Sequence, residues 1–262
     1  EYKRQLLNAM NVISLYAELL DDPNKDIHPQ TFIFGAKAAS GYLRAKQFIK
    51  LICYLAEDIK KHPKINEKLN VVYMENYNVT MAECMIPATE VSEQISLAGK
   101  EASGTSNMKF MLNGALTIGT LDGANVEMSE TVGDDNIFIF GVRADEVDEV
   151  WSRGYNASSY YNQNQRLRRV VEMIARGFNG ESFAEIANYL LTGTPVADPY
   201  MCMADFDSYT ATQKKVKDLY VQDQKKWAQI SLMNIAGAGV FAADRSIKEY
   251  AENIWNLKPL KA

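Results

Sequence analysis

The sequence predicts an α/β fold: a doubly wound, mostly parallel sheet followed by a helical region. Two observations carry this. Over residues 1–144, short apolar runs rich in β-branched residues alternate with stretches of helical period, the trace that parallel strands and crossover helices leave. From Asp145 onward the helical period continues and no further strand pattern occurs. The 262 residues, 47% of them hydrophobic, suffice for a large core, as one large α/β domain or as two small ones.

Leu6, Leu7, Met10, Val12, Ile13, Tyr16, Leu19 and Leu20 recur at helical spacing, so residues 1–20 read as an amphipathic helix that stops at Asp21-Asp22-Pro23. Thr31 to Phe34 reads as a short buried strand, Gly35 to Gly41 as a small-residue turn, and Tyr42 to Lys61 as a long helix ending before Pro63. Leu69 to Met74 is the next strand. It runs into the polar Glu75-Asn76-Tyr77-Asn78, the position at which an open α/β sheet presents ligand groups. Val79 to Met85 begins another helix. After Glu90 to Ser96 come the helix carrying Lys109, a strand at Ala115 to Thr120, a turn at Asp122-Gly123 and a strand at Asn136 to Phe140.

The second half reads as helices at Asp145 to Trp151, Ser158 to Arg176, Ser182 to Leu191, Phe206 to Tyr220, Gln224 to Ala238 and Ser246 to Trp255, with an exposed loop at Leu191 to Pro195. These helices are expected to cap the sheet, with Trp227 and Trp255 as core or interface anchors.

Composition narrows the function classes. With 28 basic and 33 acidic residues, a net charge of −5 and no basic cluster denser than Arg166-Leu167-Arg168-Arg169, nucleic acid is not an expected partner. Cys53, Cys84 and Cys202 are odd in number and far apart, and His28 and His62 are the only histidines, which disfavours both a disulfide scaffold and a zinc site. No apolar run approaches the roughly 20 residues of a membrane span, so no membrane partner is expected. The chain opens on Glu1-Tyr2-Lys3-Arg4-Gln5, with neither an initiator methionine nor a signal-like region, and is expected to be a cytoplasmic fragment.

Function concentrates in Glu101 to Phe110. Ser103, Gly104, Thr105, Ser106 and Asn107 are helix-entry residues and Met108 to Leu112 continues as a helix. Free backbone N–H groups and hydroxyls therefore collect at its start, where an anion is favoured. Lys109 falls about one turn inside, among apolar neighbours, where desolvation would favour the neutral amine that an imine needs. A phosphorylated aldehyde suits both features. The same residues also suit an ordinary helix N-cap with a solvent-facing lysine.

Ser92-Glu93-Gln94-Ile95-Ser96, Glu101-Ala102-Ser103-Gly104-Thr105 and Asn107-Met108-Lys109, with the run Asn113 to Glu127, resemble the pyridoxal-phosphate segment of the α-glucan (glycogen, starch, maltodextrin) phosphorylases. The likeness extends over the whole chain, from Glu1-Tyr2-Lys3-Arg4-Gln5-Leu6-Leu7 to Asp244-Arg245-Ser246-Ile247 and Tyr250. It implies that residues 1–262 are the carboxy-terminal catalytic domain, one half of a two-lobed, Rossmann-like (GT-B-type) glycosyltransferase whose parent is a homodimer. It implies phosphorolysis of α-1,4-glucan by inorganic phosphate to α-glucose 1-phosphate, with pyridoxal 5'-phosphate as cofactor.

By the same likeness, Lys109 would hold the cofactor as an imine, and the Gly104 and Thr105 N–H groups and the Thr105 hydroxyl would cradle its phosphate. Tyr77 and Asn78 would lie beside that phosphate, although some family members carry arginine at the Asn78 position. Lys3 matches the lysine that touches both cofactor and substrate phosphates, a task for a compact cation between two anions. Glu101, Ser103 and Gly104 match positions that bind the glucosyl unit, and Tyr2 one that contacts its 2-hydroxyl. Taken alone, Lys3 is a first-turn lysine, Glu101 a helix N-terminal charge and Tyr77 a core aromatic.

Two departures stand out. Ser106 replaces the commoner glycine of Gly-Thr-Gly-Asn-Met-Lys, a cost if that position needs positive φ. The Lys-Arg-Ile-His that precedes Glu-Tyr-Lys-Arg-Gln in the family is not in this sequence, nor is the amino-terminal lobe, so the isolated chain is expected to fold but not to turn over. A rival reading is a domain that binds cofactor or a sugar phosphate without turnover. Another is a pyridoxal enzyme of amino acids, which would want an acid opposite the ring nitrogen and an arginine for the substrate carboxylate.

Overall fold

The structure is a computed structural model that describes residues 2–258, with side chains from Arg4 onward. Helix α1 (Tyr2–Asp21) is more than amphipathic, because residues on every side of it are buried. Leu6, Leu7, Met10, Ile13 and Tyr16 are joined inside by Asn8, Asn11 and Ser14. The all-round burial follows from its neighbours, since α2 (Leu43–Lys60), α9 (Gln165–Arg176) and α11 (Cys202–Gln222) pack around it.

Strand β1 (Gln30–Gly35) pairs in parallel with β2 (Leu69–Met74) through the crossover helix α2 and the short α3 (Pro63–Asn66). Phe32 and Phe34 of β1 face the core while Ile33 is 53% exposed. The strand is thus covered on one face only, not buried on both as its apolar run suggests. Asn78 then caps α4 (Val79–Met85), its Oδ1 accepting the Met81 N–H at 3.2 Å.

Strands β3 (Val91–Gln94), β4 (Leu116–Gly119) and β5 (Phe138–Ile139) form a second parallel sheet in that order, with α5 (Ser106–Leu112) and α6 (Ala124–Val132) as crossovers. Every residue of the central strand β4 is buried, as expected of a strand flanked on both sides. Parallel pairing therefore holds, but the five strands lie in two separately bonded sheets instead of one. Leu69 and Val71 of β2, Leu116 and Ile118 of β4 and the inner residues of α1 belong to one apolar cluster. Side-chain packing around α1, not a hydrogen-bonded ladder, joins the two sheets.

From Ala144 the ordered elements are helices: α7 (Ala144–Ser152), α8 (Ala157–Gln163), α9, α10 (Ala184–Leu191), α11, α12 (Gln224–Gly237) and α13 (Ala243–Asn253). The single helix expected from Ser158 to Arg176 is two, because Asn164 leaves helical geometry at φ −120° and ψ 105°. Its Oδ1 caps α9 by accepting the Leu167 N–H at 3.0 Å, while its Nδ2 donates to Asp207 at 2.7 Å. Trp227 packs at the edge of the core against Tyr220, whereas Trp255 is 55% exposed and anchors nothing in the described core. Among the described residues no helix is long and apolar enough to cross a membrane, and no cluster of metal-ligating side chains occurs.

Two buried polar knots tie α11 to the sheet. Arg4 and Asp205 form an ion pair at 2.6 Å with each side chain 1% exposed. Asp205 also accepts the Val142 N–H at 3.0 Å, and Gly141, at φ +81°, lies so near that a Cβ there would sit 2.7 Å from its carboxylate. In the second knot Glu93 of β3 accepts from the Tyr209 hydroxyl at 2.9 Å and from the Gln213 amide. Glu93 keeps some exposed surface as a residue, but its carboxyl end is enclosed by these partners. Burial pushes that carboxyl up to about 7, against both hydrogen bonds, which favour the charged form.

A carboxyl raised from 4.5 to about 7 favours the fold in its protonated form, a contribution complete below 4.5 and lost as pH rises through about 7. Glu93→Gln stays neutral throughout. Its unfolding free energy relative to the unsubstituted chain should rise by on the order of 2 kcal/mol across that window in denaturant titrations. A pH-independent difference would contradict the buried carboxyl.

Candidate functional site

The candidate site is built where β3 and β4 end. Gly119, the last residue of β4, has no room for a side chain: a Cβ would lie 2.7 Å from the Asn125 Nδ2 and 2.9 Å from the Gln94 carbonyl. Asn125, in the first turn of α6, donates to the Thr120 carbonyl at 3.0 Å and to the Gln94 carbonyl at 3.4 Å. Its Oδ1 accepts from Asn107 of α5 at 3.2 Å. One buried amide thus joins both strand ends to both following helices.

The two loops that leave these strands are also bonded to each other. Asp122 Oδ2 accepts the Glu101 N–H at 2.8 Å and the Lys100 N–H at 3.1 Å. The Ser103 carbonyl accepts the Ala124 N–H at 2.8 Å and Asn107 Nδ2 at 3.2 Å. Gly123, at φ +54°, passes so close that a Cβ would meet the Ser103 carbonyl oxygen at 2.7 Å. Residues 101–105 are therefore held as a braced turn.

Within that turn the Ser96 hydroxyl donates to Glu101 Oε2 at 3.0 Å, which aims the half-buried carboxylate. Ser103 is exposed, its hydroxyl donating to the Gly104 carbonyl at 3.1 Å. Gly104 takes φ +81°, a conformation that glycine adopts without strain. Thr105 is the exposed N-cap residue of α5, and its hydroxyl makes no capping bond. The Gly104, Thr105 and Ser106 N–H groups find no acceptor among the described residues, so three donors and a hydroxyl are open to a ligand. Ser106 is the first residue of α5 and is not at positive φ, so its departure from glycine carries no backbone cost.

Lys109 lies on the same short helix, and its ammonium has no hydrogen-bond partner among the described residues. It is exposed, which corrects the expectation of an apolar surround. The buried positions of α5 are Asn107 and Met111, one turn apart. Lys109, two residues from each, is about 200° around the helix and points away from the core.

The structure brings Glu101, Ser103, Gly104, Thr105 and Lys109 onto one turn and helix start. Tyr77 and Asn78 lie on a different loop, the one that follows the carboxyl end of β2. A Cβ on Gly35 would meet the Tyr77 ring at 2.9 Å, and no hydrogen bond joins Tyr77 or Asn78 to residues 101–109. The side chains of Tyr2 and Lys3 lie outside the described residues; their backbone opens α1. A surface groove of about 660 Å³, lined by residues such as Phe138, Lys215 and Lys226, includes none of the sequence-predicted site residues. Asn107 and Asp122 read from sequence as a helix-entry and a turn residue; that they and Asn125 brace the turn shows only in the structure. Their signal was buried or loop-facing amide and acid residues inside an otherwise apolar pattern.

These residues fit a phosphorylated aldehyde: a turn opened by a positive-φ glycine, free N–H donors for a phosphate, and an unpaired primary amine on the next helical turn. The profile of the carbohydrate phosphorylase family matches residues 1–257. The chain is 49% identical to human liver glycogen phosphorylase and 47% identical to the Synechocystis sp. glycogen phosphorylase, in each case over 99% of its own length and 30% of the relative's. It is 48% identical to the Haemophilus influenzae glycogen phosphorylase, over 100% of this chain and 32% of that one. The chain thus spans about a third of the length of these relatives.

Gly123→Ala should test the brace. Positive φ and the approach to the Ser103 carbonyl together should cost about 1–3 kcal/mol and release the 101–105 turn. A denaturant midpoint unchanged from the native chain would show that the two loops are not tied there.

Proposed function

Because the chain belongs to the carbohydrate phosphorylase family, we propose that the protein it comes from is an α-glucan phosphorylase and that residues 101–109 hold its pyridoxal phosphate. Inorganic phosphate would attack the terminal α-1,4-linked glucose of a glucan and release α-glucose 1-phosphate with retention at the anomeric carbon. The observation that carries the reading is the braced turn: open N–H donors at Gly104 and Thr105, with Lys109 unpaired one turn on.

In this reading Lys109 anchors the cofactor, and Gly104 and Thr105 cradle its phosphate with N–H groups and the Thr105 hydroxyl. When bound, pyridoxal phosphate supplies a second phosphate group that serves as acid or charge partner to the substrate phosphate. Lys3 holds the two anions together, and Tyr77 and Asn78 flank the cofactor phosphate. Glu101, Ser103 and Gly104 orient the glucosyl unit, with Tyr2 at its 2-hydroxyl; a carboxylate already aimed by Ser96 is a suitable fixed acceptor for a sugar hydroxyl. Proton transfer between phosphates suits a turn that offers donors and one carboxylate rather than a pair of catalytic carboxylates.

The N-terminal turn of α1 and the braced loop would then form one wall of a cleft in a two-lobed, GT-B-type enzyme. A cytoplasmic homodimer is the setting proposed; three free cysteines accord with a reducing compartment.

Borohydride reduction of the full-length protein in the presence of pyridoxal phosphate, followed by peptide mapping, should place the label on Lys109. The same protein should release glucose 1-phosphate from maltooligosaccharide and phosphate, and Lys109→Ala should lower that release by at least about a hundredfold. Label on other lysines with Lys109 unmarked, or undiminished release by the variant, would overturn the assignment.

A further inference from the structure

We propose that Arg4 is a positioning residue for the phosphate-binding turn of α1, an inference that rests on the phosphorylase reading. Its guanidinium spends three donors in three directions. Nη2 meets Asp205 Oδ2 at 2.6 Å, Nη1 the Tyr200 carbonyl at 2.8 Å, and Nε the Ile95 carbonyl at 2.9 Å. Ile95 directly follows β3 and is the root of the loop that carries Glu101 to Thr105. Arg4 therefore bonds the first turn of α1, where Tyr2 and Lys3 precede it, to the base of the candidate site.

The far side of the pair is equally fixed. Asp205 Oδ1 accepts the Val142 N–H at 3.0 Å, the Gly141 N–H donates to the Ser208 hydroxyl at 3.0 Å, and Gly141 packs on the carboxylate face. The carboxylate cannot shift without moving α11 or the turn after β5.

Stability alone does not call for this arrangement. A buried ion pair is commonly no more stabilising than well-packed apolar residues of the same volume, because desolvation offsets the attraction. Apolar replacements, however, cannot grip the Ile95 carbonyl, and a lysine at residue 4 lacks the planar fork that reaches three acceptors. The pair's distinct contribution is the register between α1 and the 95–105 loop. A displacement of about 1 Å between two phosphate-binding elements costs far more in rate than in folding.

The test uses the full-length enzyme with Arg4→Met, Arg4→Met/Asp205→Leu and Asp205→Asn. Thermal unfolding, kcat, the KM for phosphate and for glucan, and calorimetric affinity for inorganic phosphate are read for each. Arg4→Met should lose much of its thermal stability, since Asp205 is left unpaired, and the double variant should regain most of it. The double variant should nonetheless bind phosphate at least about tenfold more weakly and show a comparable fall in kcat/KM for phosphate, with the KM for glucan little changed. Asp205→Asn keeps the shape, the Ile95 bond and an amide oxygen to face Nη2, should lose less stability than Arg4→Met, and should show the same pattern in smaller measure. If either folded variant binds phosphate and turns over within about twofold of the parent, the pair is structural only and the proposal falls. A native parent that binds phosphate but shows no phosphorolysis would instead overturn the functional reading, leaving the phosphate-affinity comparison to decide the positioning claim.

Discussion

A single buried guanidinium sets the relation between the helical half and the sheet. Arg4 and Asp205 are each 1% exposed, and between them they engage α1, the loops that follow β3 and β5, the segment entering α11, and α11 itself. Removing either partner would strand a charge in the interior at a cost of about 3–5 kcal/mol. A second buried carboxylate reinforces the same corner. Asp198 accepts the Cys202 and Met203 N–H groups at 2.9 and 2.7 Å and the Tyr155 hydroxyl at 2.7 Å, capping the start of α11. Burial raises its carboxyl above the ordinary range, while these three donors act in the opposite direction. With α11 pinned at its first turn by Asp198 and Asp205, and at its second by Tyr209 to Glu93, the second sheet has a rigid backing.

That rigidity is what a loop needs if its backbone is to bind an anion. Free N–H groups bind phosphate well only when they already point at one place, so the ordering cost must be met by the fold. The Asn107–Asn125 bridge, the Asp122 clasp on Glu101 and the fit of Gly123 beneath Ser103 supply that order. The exposure of Lys109 belongs to the same geometry. A helix that buries Asn107 and Met111 must turn Lys109 outward.

Much of this was legible in the sequence, and the failures share a cause. The start of α5, the Asn78-capped α4, the strands β2 and β4 and the helices after Ala144 follow from local signals: caps, glycines and apolar period. Helix α6 escaped because two of its inward positions are Asn125 and Ser129, which blur the apolar period. The break between α8 and α9 escaped because Asn164 reads as an ordinary polar helix residue until its partner Asp207 is known. Local pattern implied a single sheet, but which strands pair is decided by contacts distant in sequence. The burial of α1 is of the same kind, since its inward Asn8, Asn11 and Ser14 reveal themselves only once α2, α9 and α11 surround it. In the candidate site, residues 101–109 stand out in the sequence as a motif, whereas the bonds that brace them do not. Lys109 is the instructive exception: its outward direction follows from helical geometry applied to Asn107 and Met111, not from the apolar character of its immediate neighbours.

The central claim is that the turn at the ends of β3 and β4 is a phosphate cradle with an amine beside it. A crystal structure of the full-length protein with pyridoxal phosphate tests it most directly. The account predicts the cofactor phosphate at hydrogen-bond distance, about 3 Å, from the Gly104 and Thr105 nitrogens, with continuous density to Lys109 Nζ. Cofactor density anywhere else, or a phosphate held without these two N–H groups, would contradict it.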